Sequence, residues 1–297
     1  MVRARMRPHA HKPIDPLFIR ENMGRPKGAR ELMLRATGSV ARRVDAGPDH
    51  PPGDWVTARE ATDSSPVMLY LHGGGFIGCS PETHRPLVGS LCKRLKARAF
   101  VPAYRLAPEF PYPAALDDAM QSYRHLIHTL QIDSRRIILA GDSAGGGLAL
   151  STAMRIRDEG LPQPAVIIAY SPWTDLAASG SSLDENSDRC AMFAGVTIRR
   201  AAPFYLGNTA AQDPGPSPLY GDFRGLAPLL IHASSDEVLR DDSVRVAERA
   251  SAAGVKVEIQ LWRRVPHVWQ FFPAILPEAE ESLQLTMQFV QQHLSHE

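Results

Sequence analysis

The sequence lacks long apolar runs, is poor in cysteine and carries almost no net charge. Its 297 residues contain no run of about 18 apolar residues, so we expect no transmembrane helix. Residues 1–20 also lack the apolar centre of a signal peptide. A net charge of +1 gives no reason to expect a nucleic acid or an anionic membrane surface as a partner.

The three cysteines, Cys79, Cys92 and Cys190, are odd in number and far apart in the chain. This spacing argues against a disulfide framework and against a zinc site, and it favours reduced thiols in a cytoplasmic protein. We therefore predict no metal. A hydrophobic content of 44% and a charged content of 22% are ordinary for a globular protein. The length suits one large α/β domain with an accessory piece, or two small domains.

From Pro66 onwards, short apolar runs alternate with helical patterns. We predict strands at residues 41–45, 54–59, 67–71, 99–104, 137–140, 165–170, 229–233 and 255–261. Such alternation is typical of a mostly parallel sheet with helices on both faces, that is, an α/β fold. Reactive residues are then expected just after strands, because function collects at the carboxyl ends of parallel strands.

Ser143 is the predicted nucleophile. It stands in Gly-Asp-Ser-Ala-Gly at residues 141–145, between an apolar run and a small-residue helical run. A serine hydroxyl needs a base to take its proton, and a tight strand-to-helix turn exposes it to one. The glycines at 141 and 145 would leave room for the close approach of strand and helix. A chance serine in a glycine-rich turn is the alternative, which the flanking strand and helix disfavour.

Asp236 and His267 each follow a later predicted strand, in the chain order Ser, Asp, His that suits this kind of sheet. We predict that His267 acts as the base and that Asp236 orients its imidazole. Glu237 is expected to point elsewhere. Asp241 and Asp242 are more simply explained as charges at the start of the next helix.

A second glycine-rich segment, His-Gly-Gly-Gly at residues 72–75, follows the strand at 67–71. Attack on an ester carbonyl creates an oxyanion, which backbone amides free of side chains can stabilise. We predict donors at Gly73, Gly74 and Ala144. A phosphate-binding loop is disfavoured, because no Gly-Lys-Ser or Gly-Lys-Thr follows.

Together these segments resemble the hormone-sensitive-lipase family of bacterial esterases, over most of the chain from about residue 67. The matching segments are 72–76 (HGGGF), 104–109 (YRLAPE), 141–146 (GDSAGG) and 171–176 (SPWTDL), together with Asp236 and His267. The resemblance implies an α/β-hydrolase fold with an eight-stranded sheet and a helical cap. It implies hydrolysis of short- to medium-chain acyl esters without a cofactor, and a structural role for His72. It also implies homodimers that pair along the last strand.

The resemblance further divides the chain into a cap and a core. Residues 1–45 and 179–221 would form the cap, and residues 46–178 and 222–297 the α/β-hydrolase core. Phe76, Trp173 and Trp269 flank the predicted catalytic positions, so each could border the substrate pocket or simply pack in the core.

The leading hypothesis is a serine carboxylesterase that acts on small esters. A lactonase or a deacetylase of a small metabolite would use the same residues, because pocket shape decides the substrate. A non-catalytic binding protein on this fold is disfavoured by the presence of His267. Lipase action on long-chain fat is disfavoured, because no segment resembles a large exposed apolar lid. Peptidase action is possible for any Ser-His-Asp site, but the resemblance points to esters.

Overall fold

The computed structural model describes residues 13–22 and 27–294. The strands are β1 (Ser39–Val44), β2 (Gly53–Ala58), β3 (Val67–Leu71), β4 (Arg98–Pro102), β5 (Ile137–Asp142), β6 (Val166–Tyr170), β7 (Leu229–Ser234) and β8 (Val257–Trp262). The helices are α1 (Pro16–Asn22), α2 (Lys27–Ala36), α3 (Pro81–Leu95), α4 (Ala114–Arg124), α5 (Ala144–Asp158), α6 (Ser182–Glu185), α7 (Gly195–Leu206), α8 (Arg240–Ala252) and α9 (Pro277–His293).

All eight strands form one sheet in the order β1-β2-β4-β3-β5-β6-β7-β8. β1 pairs antiparallel with β2, and β2 pairs antiparallel with β4. Every other pairing, from β4 to β8, is parallel. The predicted mostly parallel, eight-stranded α/β sheet is therefore confirmed.

The central strands bury both of their faces, which explains why they read as continuous apolar runs. In β3, Leu69 packs in one hydrophobic cluster and Met68 in the other. In β5, Leu139 and Ile138 divide in the same way. Because side chains alternate along a strand, each half of the run faces a different helical layer. The sheet is a rigid platform from which the loops at its carboxyl edge project.

The described part of the N-terminal segment forms two helices and one strand of the sheet. Apolar residues at helical spacing around residues 14–18 and 31–36 predict two short helices, which are present as α1 and α2. The sheet, however, begins at Ser39 with β1, so it starts inside the segment that the sequence assigned to the cap. The pairing of Val44 with Gly53 closes the β1–β2 hairpin, which forms the edge of the sheet.

Two helices differ from the bounds that the sequence pattern predicts. Leucines at four-residue spacing predict a helix over residues 86–97, but α3 begins at Pro81, because Ser80 and Thr83 exchange hydrogen bonds at its first turn and Pro81 suits an initial position. A regular helix is predicted over residues 114–130, but α4 ends at Arg124 and continues into one π-helical turn, His125–Thr129. None of the helices within residues 13–22 and 27–294 has the length and apolarity needed to cross a membrane.

Candidate active site

Ser143 occupies a sharp turn between β5 and α5. Its backbone is held at φ 54° and ψ −124°, a left-handed conformation that non-glycine residues rarely adopt. Its amide donates to the Tyr170 carbonyl at 2.8 Å, and its carbonyl accepts from the Trp173 amide at 2.9 Å. The end of β6 and the loop that follows it thus hold the strained turn, which lies at the carboxyl edge of the sheet as predicted.

The glycines around Ser143 are required by close packing of the backbone. A Cβ on Gly141 would lie 2.2 Å from the Gly145 carbonyl oxygen. A Cβ on Gly145 would lie 2.0 Å from the carbonyl oxygen of Leu71. Both distances are far inside van der Waals contact, so the strand and the helix can meet only where side chains are absent. These distances support the prediction that Gly141 and Gly145 leave room for the close approach of strand and helix.

The glycine-rich loop lies beside this turn, but its first amide is already occupied. Gly73 N–H donates to Asp142 Oδ1 at 3.1 Å, so the prediction that Gly73 offers a free donor is wrong. The amides of Gly74 and Gly75 have no acceptor within the described part of the chain. Their φ values are +119° and +65°, which favour glycine, and they turn the loop so that these two amides stay free.

A buried polar cluster fixes the glycine-rich loop from below. His72 Nδ1–H donates to the Gly73 carbonyl at 2.8 Å, and the Tyr104 hydroxyl donates to the His72 carbonyl at 2.5 Å. The His72 and Tyr104 rings stack with their centroids 4.2 Å apart. Burial, with the nearby His84, lowers the pKa of His72 to about 3, so its imidazole is neutral. This environment supports the structural role that the resemblance implied for His72.

Asp142 joins this cluster to the nucleophile turn. Its carboxylate accepts from the Tyr70 hydroxyl at 2.8 Å and lies 3.2 Å from His84 Nε2. Burial acts to raise the pKa of Asp142, but His84 and the Tyr70 hydroxyl outweigh it and lower that pKa. An ionised Asp142 next to Ser143 therefore anchors the Gly73 amide and sets the orientation of the two amides that follow.

The carboxylate that contacts His267 belongs to Glu237. His267 Nδ1–H donates to Glu237 Oε2, and both side chains are almost fully buried. The other oxygen, Oε1, accepts from the Ser234 amide at 2.7 Å and from the Ser171 hydroxyl at 2.8 Å. With its proton on Nδ1, the imidazole carries its lone pair on Nε2, which has no partner within the described residues. The ring is thus oriented and tautomerically set to accept a proton.

Asp236 points to the surface instead. Its Oδ2 accepts from the Arg264 amide at 2.8 Å, in an exposed hydrogen bond. The prediction that Asp236 orients His267 is therefore wrong. β7 ends at Ser234, and the turn that follows directs Glu237 to the interior, where its Oε1 accepts from the Ser234 amide. Asp236 and Glu237 both follow a strand, as a catalytic acid should. Only the geometry of the turn shows which of the two contacts His267.

Ser171 and Asn186 complete the support of the acid, and the sequence reasoning did not single out either. Ser171 is fully buried at φ +45°. Its hydroxyl donates to Glu237 and accepts from the Val268 amide at 3.4 Å. Asn186 lies in the insertion, residues 179–221, and its Nδ2 donates to the carbonyl of Glu237 at 2.9 Å. The SPWTDL segment was the available signal for Ser171, since it follows β6 directly.

Aromatic side chains from the insertion cover the site. Phe76, next to the glycines, stacks face to face on Tyr205 of α7 with a centroid distance of 3.6 Å. The Trp173 ring lies 6.1 Å from Phe76, and the indole N–H of Trp173 has no partner within the described residues. Phe193 makes an edge contact with the His267 ring at 5.2 Å. Two of the three predicted pocket aromatics therefore lie together beside the glycine-rich loop.

Trp269 lies in a different cluster. It is fully buried with Val265 and Ala279, and its indole N–H donates to the Glu278 carbonyl at 3.1 Å. Its ring packs 5.7 Å from that of Trp262. Trp269 therefore packs the end of β8 against α9 and occupies a core position.

Known proteins resemble this chain over most of its length. A family model described as alpha/beta hydrolase fold matches residues 68–271. An acetyl-hydrolase from Streptomyces hygroscopicus is 38% identical over 81% of this chain and 83% of its own. An esterase from Acinetobacter venetianus is 35% identical over 73% of this chain and 72% of its own. The crystal structure of an esterase from the bacterial hormone-sensitive lipase family superposes with a TM-score of 0.86, at 33% identity, covering 99% of this chain and 97% of that one.

The eight-stranded sheet and the similarity to these relatives lead to the same assignment. The chain belongs to the hormone-sensitive-lipase family of α/β hydrolases, a family of carboxylic ester hydrolases.

Proposed function

We propose that this chain hydrolyses short- to medium-chain acyl esters through a covalent acyl-enzyme on Ser143. The buried contact between His267 and Glu237 carries this proposal, because it leaves Nε2 of the imidazole as an unpaired base. His267 takes the Ser143 proton as Oγ attacks the ester carbonyl, and passes it to the departing alcohol. A water molecule, deprotonated by the same nitrogen, then releases the acid. Glu237 stabilises the imidazolium in both steps.

The oxyanion formed in each step would be held by the amides of Gly74, Gly75 and Ala144. The first two have no other acceptor in the described structure. Ala144 is the first residue of α5, where the helix dipole favours negative charge. Loss of one such donor lowers kcat by about 10²–10³ in comparable sites.

The small size of the acyl group is supported by the aromatic packing. Phe76 and Trp173 are each only 2% exposed, and Tyr205 closes over Phe76. A relative named acetyl-hydrolase, at 38% identity, points in the same direction. We infer that the described residues before β1, together with residues 179–221, form the cap whose aromatic rings limit acyl length.

Replacement of the nucleophile tests the mechanism. Ser143→Ala should abolish hydrolysis of p-nitrophenyl butyrate while the far-UV circular dichroism spectrum stays unchanged. Ser64→Ala, at an exposed serine, is the matched control and should keep full activity. Turnover by Ser143→Ala at the rate of the control would remove Ser143 from the mechanism.

A deacetylase of a small metabolite is the second candidate, and the acetyl-hydrolase relative favours it. A lactonase would use the same residues. Comparing kcat/KM for acetyl, butyryl and octanoyl p-nitrophenyl esters, acetylated sugars and lactones would separate these activities. Stoichiometric labelling of Ser143 by an organophosphate is expected in each case and would not occur in a non-catalytic binding protein.

We also propose that two copies pair along β8. This strand is one edge of the sheet, and Ile259 and Leu261 on it are 36% and 45% exposed. Light scattering after size exclusion should then give a dimer, which Leu261→Lys converts to a monomer. Val40→Lys, on the opposite edge strand β1, should leave the dimer intact. A monomeric parent protein would refute the pairing.

A cytoplasmic location is proposed from the cysteines. Cys79, Cys92 and Cys190 are all unpaired, and burial raises the pKa of the Cys92 thiol well above its usual value. Thiols in this state suit a reducing compartment. Cell fractionation with an antibody to the chain should find it with cytoplasmic markers, and recovery from the culture medium would contradict the proposal.

A further inference from the structure

A cluster of metal-binding side chains lies away from the nucleophile turn, where the β1–β2 loop meets the end of α4. Asp49 and His50 come from the loop, and His125 is the first residue of the π-helical turn His125–Thr129. His125 Nδ1 lies 2.9 Å from Asp49 Oδ2, and the Thr129 hydroxyl donates to the same oxygen. π-Helical turns are rare and occur frequently at functional sites.

The three side chains already stand near the spacing that a metal ion requires. One donor atom from each of Asp49, His50 and His125 lies within 4.8 Å of the others, and the two imidazole centroids are 4.4 Å apart. Bonds of about 2.0–2.1 Å in a tetrahedral zinc site place donor atoms about 3.4 Å apart. Closing around an ion would need side-chain movements of little more than 1 Å. No other such cluster occurs within residues 13–22 and 27–294.

His50 is held as a metal-binding histidine usually is. Its Nδ1–H donates to the Pro51 carbonyl at 2.8 Å, so the lone pair of the neutral ring is on Nε2. Histidine ligands commonly give their second ring N–H to a backbone carbonyl in this way, which fixes the tautomer. Nε2 faces Gly47, where a Cβ would come within 2.5 Å of it. A glycine at that position therefore keeps the nitrogen clear of any side chain.

The carboxylate and the solvent access also fit a cation. Asp49 supplies a carboxylate oxygen, which is a common ligand of zinc. The Asp49 side chain is 38% exposed and that of His125 is 11% exposed. An ion can therefore enter from solvent, and water can supply a fourth ligand.

We propose that Asp49, His50 and His125 bind a divalent transition-metal cation of the zinc class. Two imidazoles and one carboxylate are a common zinc donor set. The ion would tie the β1–β2 loop to the end of α4, so its role is structural. The expectation of no metal rested on the scarcity of cysteine, and histidine and aspartate ligands brought together by folding lie outside that argument.

Isothermal titration of the metal-free full-length protein with ZnCl₂ tests the proposal. The parent protein should bind one equivalent that His50→Gln and Asp49→Asn each remove or weaken by at least tenfold. His128→Gln is the matched control, because His128 lies exposed on the same π-helical turn, and it should bind as the parent does. Unchanged esterase activity verifies that each variant is folded.

Thermal unfolding gives an independent measurement. Above the Kd, each tenfold increase in free zinc concentration should raise the Tm of the parent and of His128→Gln by about 2 °C. The Tm of His50→Gln should not change. Either of two results would overturn the proposal. One is no saturable zinc binding by the parent, which would make the cluster a hydrogen-bonded network alone. The other is equal binding by the parent, His50→Gln and Asp49→Asn, which would place the metal elsewhere.

Discussion

Replacing Glu237 by glutamine should disable the site without unfolding it. The glutamine carbonyl can still accept from the Ser234 amide and the Ser171 hydroxyl, which lie 2.7 Å and 2.8 Å from Oε1 of the glutamate. Its NH₂ group then faces His267 Nδ1. An NH₂ group cannot accept a hydrogen bond, so Nδ1 must become the acceptor and the proton moves to Nε2. The imidazole then has no lone pair for the Ser143 proton.

The expected loss follows from that change of tautomer. The equivalent change of acid to amide in a Ser-His-Asp site lowers kcat about 10⁴-fold, or about 5.5 kcal/mol of transition-state stabilisation. Asp236→Asn is the matched control, since its amide oxygen can still accept from the Arg264 amide at the surface. A surface change of this kind should alter kcat/KM by no more than about twofold.

The assay is hydrolysis of p-nitrophenyl butyrate, with the rate of organophosphate labelling of Ser143 as a second readout. Both rates should fall in parallel in Glu237→Gln, while the circular dichroism spectrum and the urea midpoint stay close to those of the parent. Glu237→Asp keeps the charge on a shorter side chain and should recover part of the activity. A 10⁴-fold loss in Asp236→Asn together with near-normal turnover by Glu237→Gln would refute the assignment.

Three further predictions concern the loop, a buried acid and the cap. Gly74→Ala, at φ +119° and with a Cβ that would lie 2.2 Å from a backbone carbonyl oxygen, should lower kcat at least 10²-fold with little change in KM for p-nitrophenyl acetate. Burial and the nearby Asp175 raise the pKa of Asp242 to about 7, so the folded state binds a proton that the unfolded state has lost. The free energy of unfolding should therefore fall as the pH rises from about 4 to about 7, by up to about 1.4 kcal/mol per pH unit from this group. Urea titrations across this range should show that Asp242→Asn lacks this part of the pH dependence. Identical pH dependence in the parent and the variant would contradict the assignment. Tyr205→Ala removes the ring stacked on Phe76, so the ratio of octanoate to acetate hydrolysis should rise, whereas Tyr205→Phe should keep the parent ratio.

The insertion also contributes to the position of the acid, beyond any cover that it provides over the substrate. Asn186 holds the backbone on both sides of the Asp236 position, donating to the carbonyls of Ser235 and Glu237. Substrate-induced movement of the insertion would therefore reach the Glu237 loop directly. This link arises from residues that are distant in sequence, and no pattern along the chain indicates it.

The sheet, the sharp turn at Ser143 and the position of His267 after a strand could all be predicted from the sequence. Continuous apolar runs such as β3 and β5 predict strands that are buried on both faces. Gly141 and Gly145 indicate that the strand and the helix on either side of Ser143 pack too closely for side chains at those positions. These features depend on local periodicity and local sterics, which a single sequence records.

Three other features could not be predicted from the sequence: the acid that faces His267, the glycine amides that are free, and the cluster of Asp49, His50 and His125 proposed as a metal site. Asp236 and Glu237 differ by one position in a turn, and the geometry of the turn after β7 determines which of them points inward. The Gly73 amide is occupied because Asp142, distant in sequence, lies beside it. Asp49 and His125 are also far apart in the chain and meet only through folding. In each case a side chain or an amide contacts a segment that is remote in the sequence. Its orientation depends on how the two segments pack, which local sequence patterns do not record.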